Sequence, residues 1–167
     1  MENAVVFVKP EFLDKQIEIF TYFDMQLFMN FGSFDRTLPT SLVRPVPRNL
    51  IAEHYSHIKV SHLDVYEEMV RTFSGGGIAL RAYRGRDGLI LSARRVLGET
   101  DPKKAGKDTI RGGFSDDSLE LALSEGRAVR NVMHVSGSPE EGITELERFK
   151  KFIFSGDKTL YVWYCLR

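Results

Sequence analysis

One histidine has a setting that could support chemistry. His134 is one of four histidines in the 167-residue chain. It lies among the apolar residues Ala128, Val129, Val132, Met133 and Val135, and a Ser/Gly turn follows at 136–138. An imidazole held at the end of a buried element can meet a substrate as a nucleophile or as a general base. A histidine beside apolar residues can equally be a structural residue of the core. On its own surroundings, His134 is a candidate catalytic residue with both interpretations open.

Lys9 is a second candidate, because it directly follows the apolar run at residues 4–8. This short run is rich in β-branched residues and predicts a strand that is buried on both faces. Pro10 ends the strand and can begin a helix. Lys9 is therefore expected at the carboxyl end of a buried strand, where sheet proteins often bind ligands. A surface lysine with a buried stem is the alternative.

Hydrophobic periodicity and turn residues predict the elements that position these groups. We expect helices over residues 11–21, 48–57, 64–73, 89–97 and 139–154, and further strands over 25–31, 78–83 and from about 128. Ile17 and Ile143 are assigned to the buried faces of the first and last helices. The alternation over 25–31 favours a strand, although Phe23 and Leu27 could instead prolong the first helix. Two prolines predict that residues 38–46 form an extended loop or an edge segment.

Residues 98–127 contain few apolar repeats and are expected to form a long loop, which in a compact domain is usually functional or disordered. Neither Gly75-Gly76-Gly77 nor Gly106-Lys107 has the spacing of a Walker phosphate loop. The order of elements predicts an α+β fold, a ferredoxin-like sandwich with a four-stranded antiparallel sheet flanked by helices.

Composition narrows the class of protein. A chain of 167 residues with 43% hydrophobic content suits one domain over residues 1–167. Lys plus Arg and Asp plus Glu both total 23, so no net field attracts nucleic acid. An RNA-binding ferredoxin-like domain needs aromatic pairs on a basic sheet face, whereas the first strand offers only Phe7.

The same composition bears on cellular location. The single cysteine, Cys165, allows no internal disulfide and fits a reducing compartment. The N-terminus lacks a basic segment, and no apolar run approaches the ~20 residues that a membrane span needs. We expect a cytoplasmic protein with no membrane partner.

A series of short motifs, taken together and in order, resembles the nucleoside diphosphate kinase family. The motifs are Val8-Lys9-Pro10, Glu53-His54-Tyr55, residues 74–79, residues 94–102, Thr109-Ile110-Arg111-Gly112, and residues 131–138 with Glu140 and Glu145. Each motif alone is weak, but the combination is specific and spans roughly residues 4–150. It favours the catalytic interpretation of His134.

The resemblance implies a ping-pong phosphotransferase. His134 would accept the γ-phosphate of a nucleoside triphosphate, become a phosphohistidine, and pass the phosphoryl group to a nucleoside diphosphate. Histidine suits both halves because its neutral imidazole is nucleophilic. Mg²⁺ is the implied cofactor; it would bridge the phosphates and be held mainly by the nucleotide, with no protein residue assigned as its ligand.

The resemblance also assigns roles by position, and the chemistry of each side chain is consistent with its role. The phosphates would be bound by Arg94, Thr100 and Arg111. The sugar hydroxyls would be contacted by Lys9 and Asn131, with Lys9 also near the transferred phosphate. Tyr55 would reach both a phosphate and the histidine, while Glu145 orients the imidazole and Ser136 lies beside it. Val65 would contact the base only weakly, which predicts tolerance of purines and pyrimidines alike.

Several positions depart from the family pattern. Val135 and Gly137 stand where family members commonly have a glycine and an acidic residue. Residues 115–130 form an apparent insertion, and the apolar tail over about 155–167 has no secure match. We expect the tail to form a subunit contact rather than to pack internally, and the protein to be a homo-oligomer. The alternative function is a catalytically silent nucleotide-binding or scaffold member, but every assigned catalytic residue is present.

Overall fold

Four antiparallel strands form the centre of the molecule. The computed structural model describes residues 1–43 and 45–156. The sheet has the order β2-β3-β1-β4, and each neighbouring pair is antiparallel. The strands are β1 Glu2–Val8, β2 Asp35–Val43, β3 Ile78–Gly85 and β4 Met133–Val135. The predicted α+β sandwich with a four-stranded antiparallel sheet is confirmed.

Helices cover both faces of the sheet. They are α1 Gln16–Phe31, α2 Arg48–His54, α3 Leu63–Gly76, α4 Leu89–Leu97, α5 Ile110–Phe114, α6 Leu119–Ser124 and α7 Pro139–Gly156. Short 3-10 helices span Pro10–Lys15 and Ser56–Ile58. No helix within the described part of the chain has the length and hydropathy to cross a bilayer.

β1 is buried on both faces, as its continuous apolar sequence predicts. Ala4, Val6 and Val8 pack into the core that contains α1 and α4. Val5 and Phe7 face the other way, into the core that contains α2, α3 and α7. Alternate side chains of one strand thus belong to two cores, because successive residues of a strand point to opposite faces.

α1 replaces the predicted strand over residues 25–31, so that prediction is wrong. Phe23, Leu27 and Phe31 are buried at helical spacing and continue the first helix. Met25 and Met29 lie on the solvent side of the same helix and produced the apparent alternation. Ile17 is also wrongly assigned, since it is 79% exposed.

β2 is an edge strand, which agrees with the predicted edge segment over residues 38–46. The strand begins and ends three residues earlier in the chain than predicted. Its pairing with β3 shifts register between Arg36 and Leu38 and again between Leu38 and Ser41. Pro39 falls within the second shift, because proline has no N–H to donate to a ladder.

The segment 98–127 is not one long loop, contrary to prediction. It contains α5 and α6, whose first turns are capped by the side chains of Thr109 and Ser118. β4 begins at Met133 rather than near residue 128. Before β4, the chain contacts α3 rather than the sheet at Ala128, whose N–H donates to the side chain of Glu68. Val132, with a φ of 69°, then turns the chain into β4.

α7 confirms the predicted last helix, and its described course ends at Gly156. Its buried contacts come from Leu146 and Phe149, whereas Ile143 is exposed, contrary to prediction. The predicted apolar tail extends to residue 167, and residues 157–167 lie outside the described part of the chain.

Candidate active site

His134 is placed by strand pairing. It is the middle residue of the edge strand β4, and its Cα partner across the antiparallel pair with β1 is Phe7. Residues directly opposite in such a pair extend from the same face of the sheet. The imidazole therefore lies on the side of α2, α3 and α7, where its side chain keeps 18% exposure.

α7 brings a carboxylate to this imidazole. A Cβ at Gly142 would overlap the backbone oxygen of Asn3, so only glycine permits this close approach of α7 to β1. Glu145 lies nearly one turn later, and its Oε1 is 3.0 Å from Nε2 of His134. Because a carboxylate only accepts hydrogen bonds, Nε2 carries the proton and Nδ1 keeps the lone pair.

A buried serine fixes the other oxygen of this carboxylate. The hydroxyl of Ser136 donates to Oε2 of Glu145 at 2.6 Å and accepts the backbone N–H of Val5 at 2.9 Å. Burial raises the pKa of Glu145. The hydrogen bonds from His134 and Ser136, together with the electrostatic effects of His134 and Arg148, outweigh burial and hold the pKa below its ordinary value. Glu145 therefore stays an anion that orients the imidazole.

His54, at the end of α2, is an additional neighbour to which no role was assigned from the sequence. Its ring meets that of His134 edge to face, with centroids 4.6 Å apart. Nδ1 of His54 lies 3.5 Å from Oε1 of Glu145 but makes no hydrogen bond within the described residues. Burial, followed by repulsion from His134, lowers the pKa of His54 to about 2, so its imidazole is neutral.

His54, His134 and Glu145 offer ligand atoms that all lie within 4.8 Å of one another. Mg²⁺ prefers oxygen ligands in octahedral geometry, which two imidazoles cannot supply. Both carboxylate oxygens are also already engaged, one with His134 and one with Ser136. We therefore interpret the cluster as an orienting network for the histidine rather than as an ion site.

Arg111 extends from the short helix α5. Its Nη1 donates to the carbonyl of Gly98 at 3.2 Å and to Oγ1 of Thr100 at 3.4 Å, and Nη2 donates to the carbonyl of Met133 at 3.4 Å. Burial, and then repulsion from Arg94, lowers the pKa of Arg111 to about 10. Arg94 and Arg111 line the same cavity, and two guanidinium groups there suit the binding of an anion.

Lys9 and Asn131 lie where the end of β1 is adjacent to the residues that precede β4. The backbone N–H of Lys9 donates to the carbonyl of Val132 at 2.9 Å, and its side chain is buried. Burial is the main reason that the pKa of Lys9 is lowered to about 8. Nδ2 of Asn131 donates to the carbonyl of Thr100 at 3.1 Å, which links the strands to the arginine-bearing segment.

Unpaired polar atoms concentrate around this region. Within the described residues, the buried side-chain atoms without a hydrogen-bond partner are Thr37 Oγ1, His54 Nδ1, Tyr55 OH, Arg111 Nε and Asn131 Oδ1. All but the threonine belong to residues that line one cavity. Buried polar groups in proteins are nearly always satisfied, so these unpaired atoms make the cavity suitable for a polar ligand.

The cavity has a volume of about 1030 Å³, enough for a nucleotide. Its charged end is lined by Lys9, Tyr55, Arg94, Thr100, Arg111, Asn131, His134 and Glu145. Its apolar end is lined by Ile58, Val65 and Met69 and by Leu119, Ala122 and Leu123 of α6. The structure thus brings every predicted site residue to one cavity, with Ser136 buried behind Glu145.

Sequence reasoning missed the contributions of His54, Phe7 and α6. His54 is adjacent to Tyr55 in one of the motifs, which is a signal that could have drawn attention to it. The serine of α6 at position 118 is a recognisable N-cap before an apolar stretch. Phe7 carries no such signal, because its contact with His134 depends on the register between distant strands.

An α+β sandwich with a histidine fixed beside a cationic cavity defines a class of phosphate-binding proteins with a candidate nucleophile. A family model described as nucleoside diphosphate kinase matches residues 2–156. The chain belongs to the nucleoside diphosphate kinase family.

Curated relatives agree with this membership. Nucleoside diphosphate kinase 2, chloroplastic, from Spinacia oleracea is 29% identical over 148 residues, which cover 87% of this chain and 54% of the relative. The nucleoside diphosphate kinase of Carboxydothermus hydrogenoformans is 28% identical over 167 residues, which cover 98% of each chain. The chain thus spans about half the length of its chloroplast relatives and nearly all of this bacterial one.

Solved structures share the fold. A nucleoside-diphosphate kinase from Borrelia burgdorferi, described as a transition state mimic with bound vanadate and ADP, aligns with a TM-score of 0.74 and 22% identity over 88% of this chain and 85% of its own. An NDP kinase from Pyrobaculum aerophilum aligns with a TM-score of 0.71 and 20% identity over 88% of this chain and 94% of its own.

Proposed function

We propose that this chain is a nucleoside diphosphate kinase that transfers the γ-phosphate of a nucleoside triphosphate to a nucleoside diphosphate through a phosphohistidine at His134. The observation that carries the proposal is the state of this imidazole. Glu145 accepts a hydrogen bond from the Nε2–H group, so Nδ1 keeps its lone pair beside a cavity whose charged end holds Lys9, Arg94 and Arg111. An oriented nitrogen nucleophile next to cations that can bind phosphate suits in-line phosphoryl transfer.

In the first half of the reaction, Nδ1 of His134 attacks the γ-phosphorus. An N–P bond forms, the bond between this phosphorus and the β,γ-bridging oxygen breaks, and the nucleoside diphosphate leaves with the electron pair. The imidazole gains positive charge as the N–P bond forms, and the Glu145 carboxylate at Nε2 stabilises it. In the second half, a terminal phosphate oxygen of the acceptor attacks the phosphohistidine, and the electron pair returns to Nδ1.

The phosphates would be bound by the cations around the cavity. Arg94 and Arg111 can each bind phosphate oxygens through paired N–H groups, and the hydroxyl of Thr100 supplies a further donor. Nε of Arg111 and the hydroxyl of Tyr55 are buried without partners within the described residues, and both are free to bind such an anion. Asn131 and Lys9 would contact the sugar, where the unpaired Oδ1 of Asn131 can accept from a hydroxyl.

The donor set at the charged end suits phosphate rather than a bare metal ion. It is rich in ammonium, guanidinium and hydroxyl groups, and the carboxylate oxygens of Glu145 are already engaged by His134 and Ser136. Mg²⁺ would therefore be held through the nucleotide's own phosphate oxygens, where it neutralises charge on the β- and γ-phosphates. The residues of this chain would bind and orient the phosphates around it.

The nucleobase would occupy the apolar end of the cavity. Val65 and Leu123 offer aliphatic contacts there and no edge-reading hydrogen bonds, which supports the tolerance of purines and pyrimidines expected from the sequence.

We also propose that the chain forms a homo-oligomer. Met25, Phe28 and Met29 make an apolar stripe on the solvent side of α1, and β2 presents a strand edge. Apolar stripes and open strand edges are features that subunit contacts cover.

The first experiment separates catalysis from a catalytically silent nucleotide-binding protein. Incubation with γ-labelled ATP and Mg²⁺ should give an acid-labile, base-stable phosphoprotein, and unlabelled CDP should then remove the label as CTP. His134→Ala should abolish labelling while it leaves the fold intact, because this side chain supplies the nucleophile. Labelling that persists in His134→Ala contradicts the site, and ATP binding without any labelling supports the silent alternative.

A further inference from the structure

The phenyl ring of Phe7 lies flat against the imidazole of His134. The ring centroids are 4.6 Å apart and the planes differ by 17°, which is a stacked arrangement. Phe7 is fully buried, and it is the residue directly opposite His134 across the β1–β4 pair. Cross-strand pairs of this kind are close enough for direct ring contact.

Two further groups contact the imidazole of His134 besides Phe7. Glu145 holds Nε2 at 3.0 Å, and the ring of His54 meets the imidazole at an interplanar angle of 75°. Stacking on one face, a hydrogen bond at one edge and a perpendicular ring leave Nδ1 as the nitrogen that can meet a phosphate in the cavity.

A single hydrogen bond would not fix the plane of the imidazole. Rotation about the bond between Cβ and the ring is soft, because such sp³–sp² torsions have broad minima. The stack on Phe7 restricts this rotation, since a tilted imidazole would collide with the phenyl face. Phe7 cannot yield easily, because the rings of Phe73 and Phe149 pack against it with centroids 6.1 and 5.8 Å away.

The phenyl face of Phe7 can also stabilise positive charge on the imidazole of His134. An aromatic face attracts a cation within about 6 Å of its centroid. The attacking imidazole gains positive charge as the N–P bond forms, so this attraction is stronger in the transition state than before attack. An interaction that strengthens in the transition state accelerates the reaction.

We propose that Phe7 is a positioning residue for phosphoryl transfer: its ring holds the imidazole of His134 in the plane that aims Nδ1 at the γ-phosphorus, and it stabilises the charge that develops there. This inference rests on the proposed phosphohistidine mechanism. Phe7, a core residue, would affect the rate of N–P bond formation without contacting the nucleotide.

The test compares Phe7→Leu with Phe23→Leu. Both phenylalanines are fully buried, but Phe23 lies in the core on the opposite face of the sheet. Phe7→Leu should slow the single-turnover formation of phosphohistidine by about tenfold or more, since a misplaced reacting atom is costly, while the nucleotide KM changes less than about twofold. Phe23→Leu should lower the melting temperature comparably and leave the rate near that of the wild type.

A spectroscopic measurement separates orientation from general loss of packing. Imidazole ¹⁵N chemical shifts of His134 should indicate predominantly the Nε2-protonated tautomer in the wild type and in Phe23→Leu, and a mixture in Phe7→Leu. Phe7→Met, which conserves side-chain volume better, provides a second variant without the ring if Phe7→Leu fails to fold.

The outcomes distinguish this inference from the proposed function. If the wild type forms phosphohistidine and Phe7→Leu or Phe7→Met does so at the same rate with the same tautomer, Phe7 has no positioning role. Equal slowing by Phe23→Leu would likewise overturn the proposal. If the wild type forms no phosphohistidine, the proposed function fails, and the tautomer comparison still tests whether Phe7 orients the ring.

Discussion

Lys9 shows how one residue's surroundings can set the pH range of an activity. It follows the last residue of a strand buried on both faces, and only 6% of it is exposed. Removing an ammonium group from water disfavours its charged form, and burial is the largest cause of the lowered pKa of Lys9. Lys9 therefore loses its proton, and with it the charge proposed to bind phosphate, at a lower pH than an exposed lysine does.

We expect kcat/KM for the nucleoside triphosphate to fall as the pH rises through about 8, the lowered pKa of Lys9. Below this pH the ammonium is protonated and can bind phosphate; above it the neutral amine cannot. Lys9→Arg should lower the overall activity but remove this alkaline decline, because a guanidinium stays protonated throughout the range. Initial rates at limiting substrate between pH 6 and 10 would test this, and an unchanged decline in Lys9→Arg would show that another group is responsible.

At the scale of single residues, the sequence predicts features that depend on neighbouring positions in the chain. The placement of Lys9 follows from an apolar run that ends at a proline, and its position at the end of a buried strand is confirmed. The stacking of Phe7 on His134 depends on which residues of β1 and β4 face each other, and hydrophobic periodicity contains no information on that register.

At the scale of elements, the insertion over residues 115–130 contains α6 and contributes to the cavity. Arg127 donates to both carboxylate oxygens of Asp117, at 2.6 and 3.0 Å, so the two ends of the segment that carries α6 are joined. The Ala128 N–H donates to Glu68 of α3 at 3.1 Å. These contacts fix the segment that carries α6, whose Leu119, Ala122 and Leu123 line the same cavity as Val65.

The expected weakness of base contact can be tested at Val65. Val65→Phe should tighten binding of ADP and CDP by a similar factor, because an aromatic face stacks on any base; stacking is worth about 1–3 kcal/mol per base. Leu121→Phe is the matched control, since Leu121 is an exposed residue of α6 that does not line the cavity. Calorimetric titration with both nucleotides provides the measurement. A strong base preference in the parent, or no gain in Val65→Phe, would place the base elsewhere.

Element boundaries were predictable where one side of an element is polar. α4 was expected over residues 89–97 and spans that range. α1 was predicted only in part, because apolar residues on both of its sides imitate the alternation of a strand. α5 and α6 were missed because they are short and depend on caps and tertiary contacts more than on periodicity.

At the scale of the whole molecule, the solvent side of α1 has the properties of a subunit contact. Phe28 is 62% exposed and Met29 is 72% exposed, next to further apolar residues of the same stripe. The overall sandwich was predictable from the order of elements, whereas assembly depends on surfaces that the order does not specify.

Phe28→Glu should shift the protein toward a smaller species in sedimentation velocity, because a carboxylate buried in an apolar contact pays a large desolvation penalty. Leu91→Glu is the control, since Leu91 is a similarly exposed apolar residue on another helix, α4. A wild type that is already monomeric would contradict the proposed oligomer, and a Phe28→Glu protein that assembles normally would exclude the α1 stripe as the contact.

The pairing of β1 with β4 has a consequence for the chain during its synthesis. The N–H of Val5 and the hydroxyl of Ser136 that binds it are separated by 131 positions, and the strand opposite Phe7 contains His134. A ribosome adds residues from the N-terminus at about 5–20 per second, so β1 leaves the exit tunnel many seconds before its second neighbour exists. A nascent chain that ends before β4 would carry Lys9, Arg94 and Arg111 but not His134. On the proposed mechanism, phosphorylation of His134 would thus mark a polypeptide in which β4 has been made and has paired with β1.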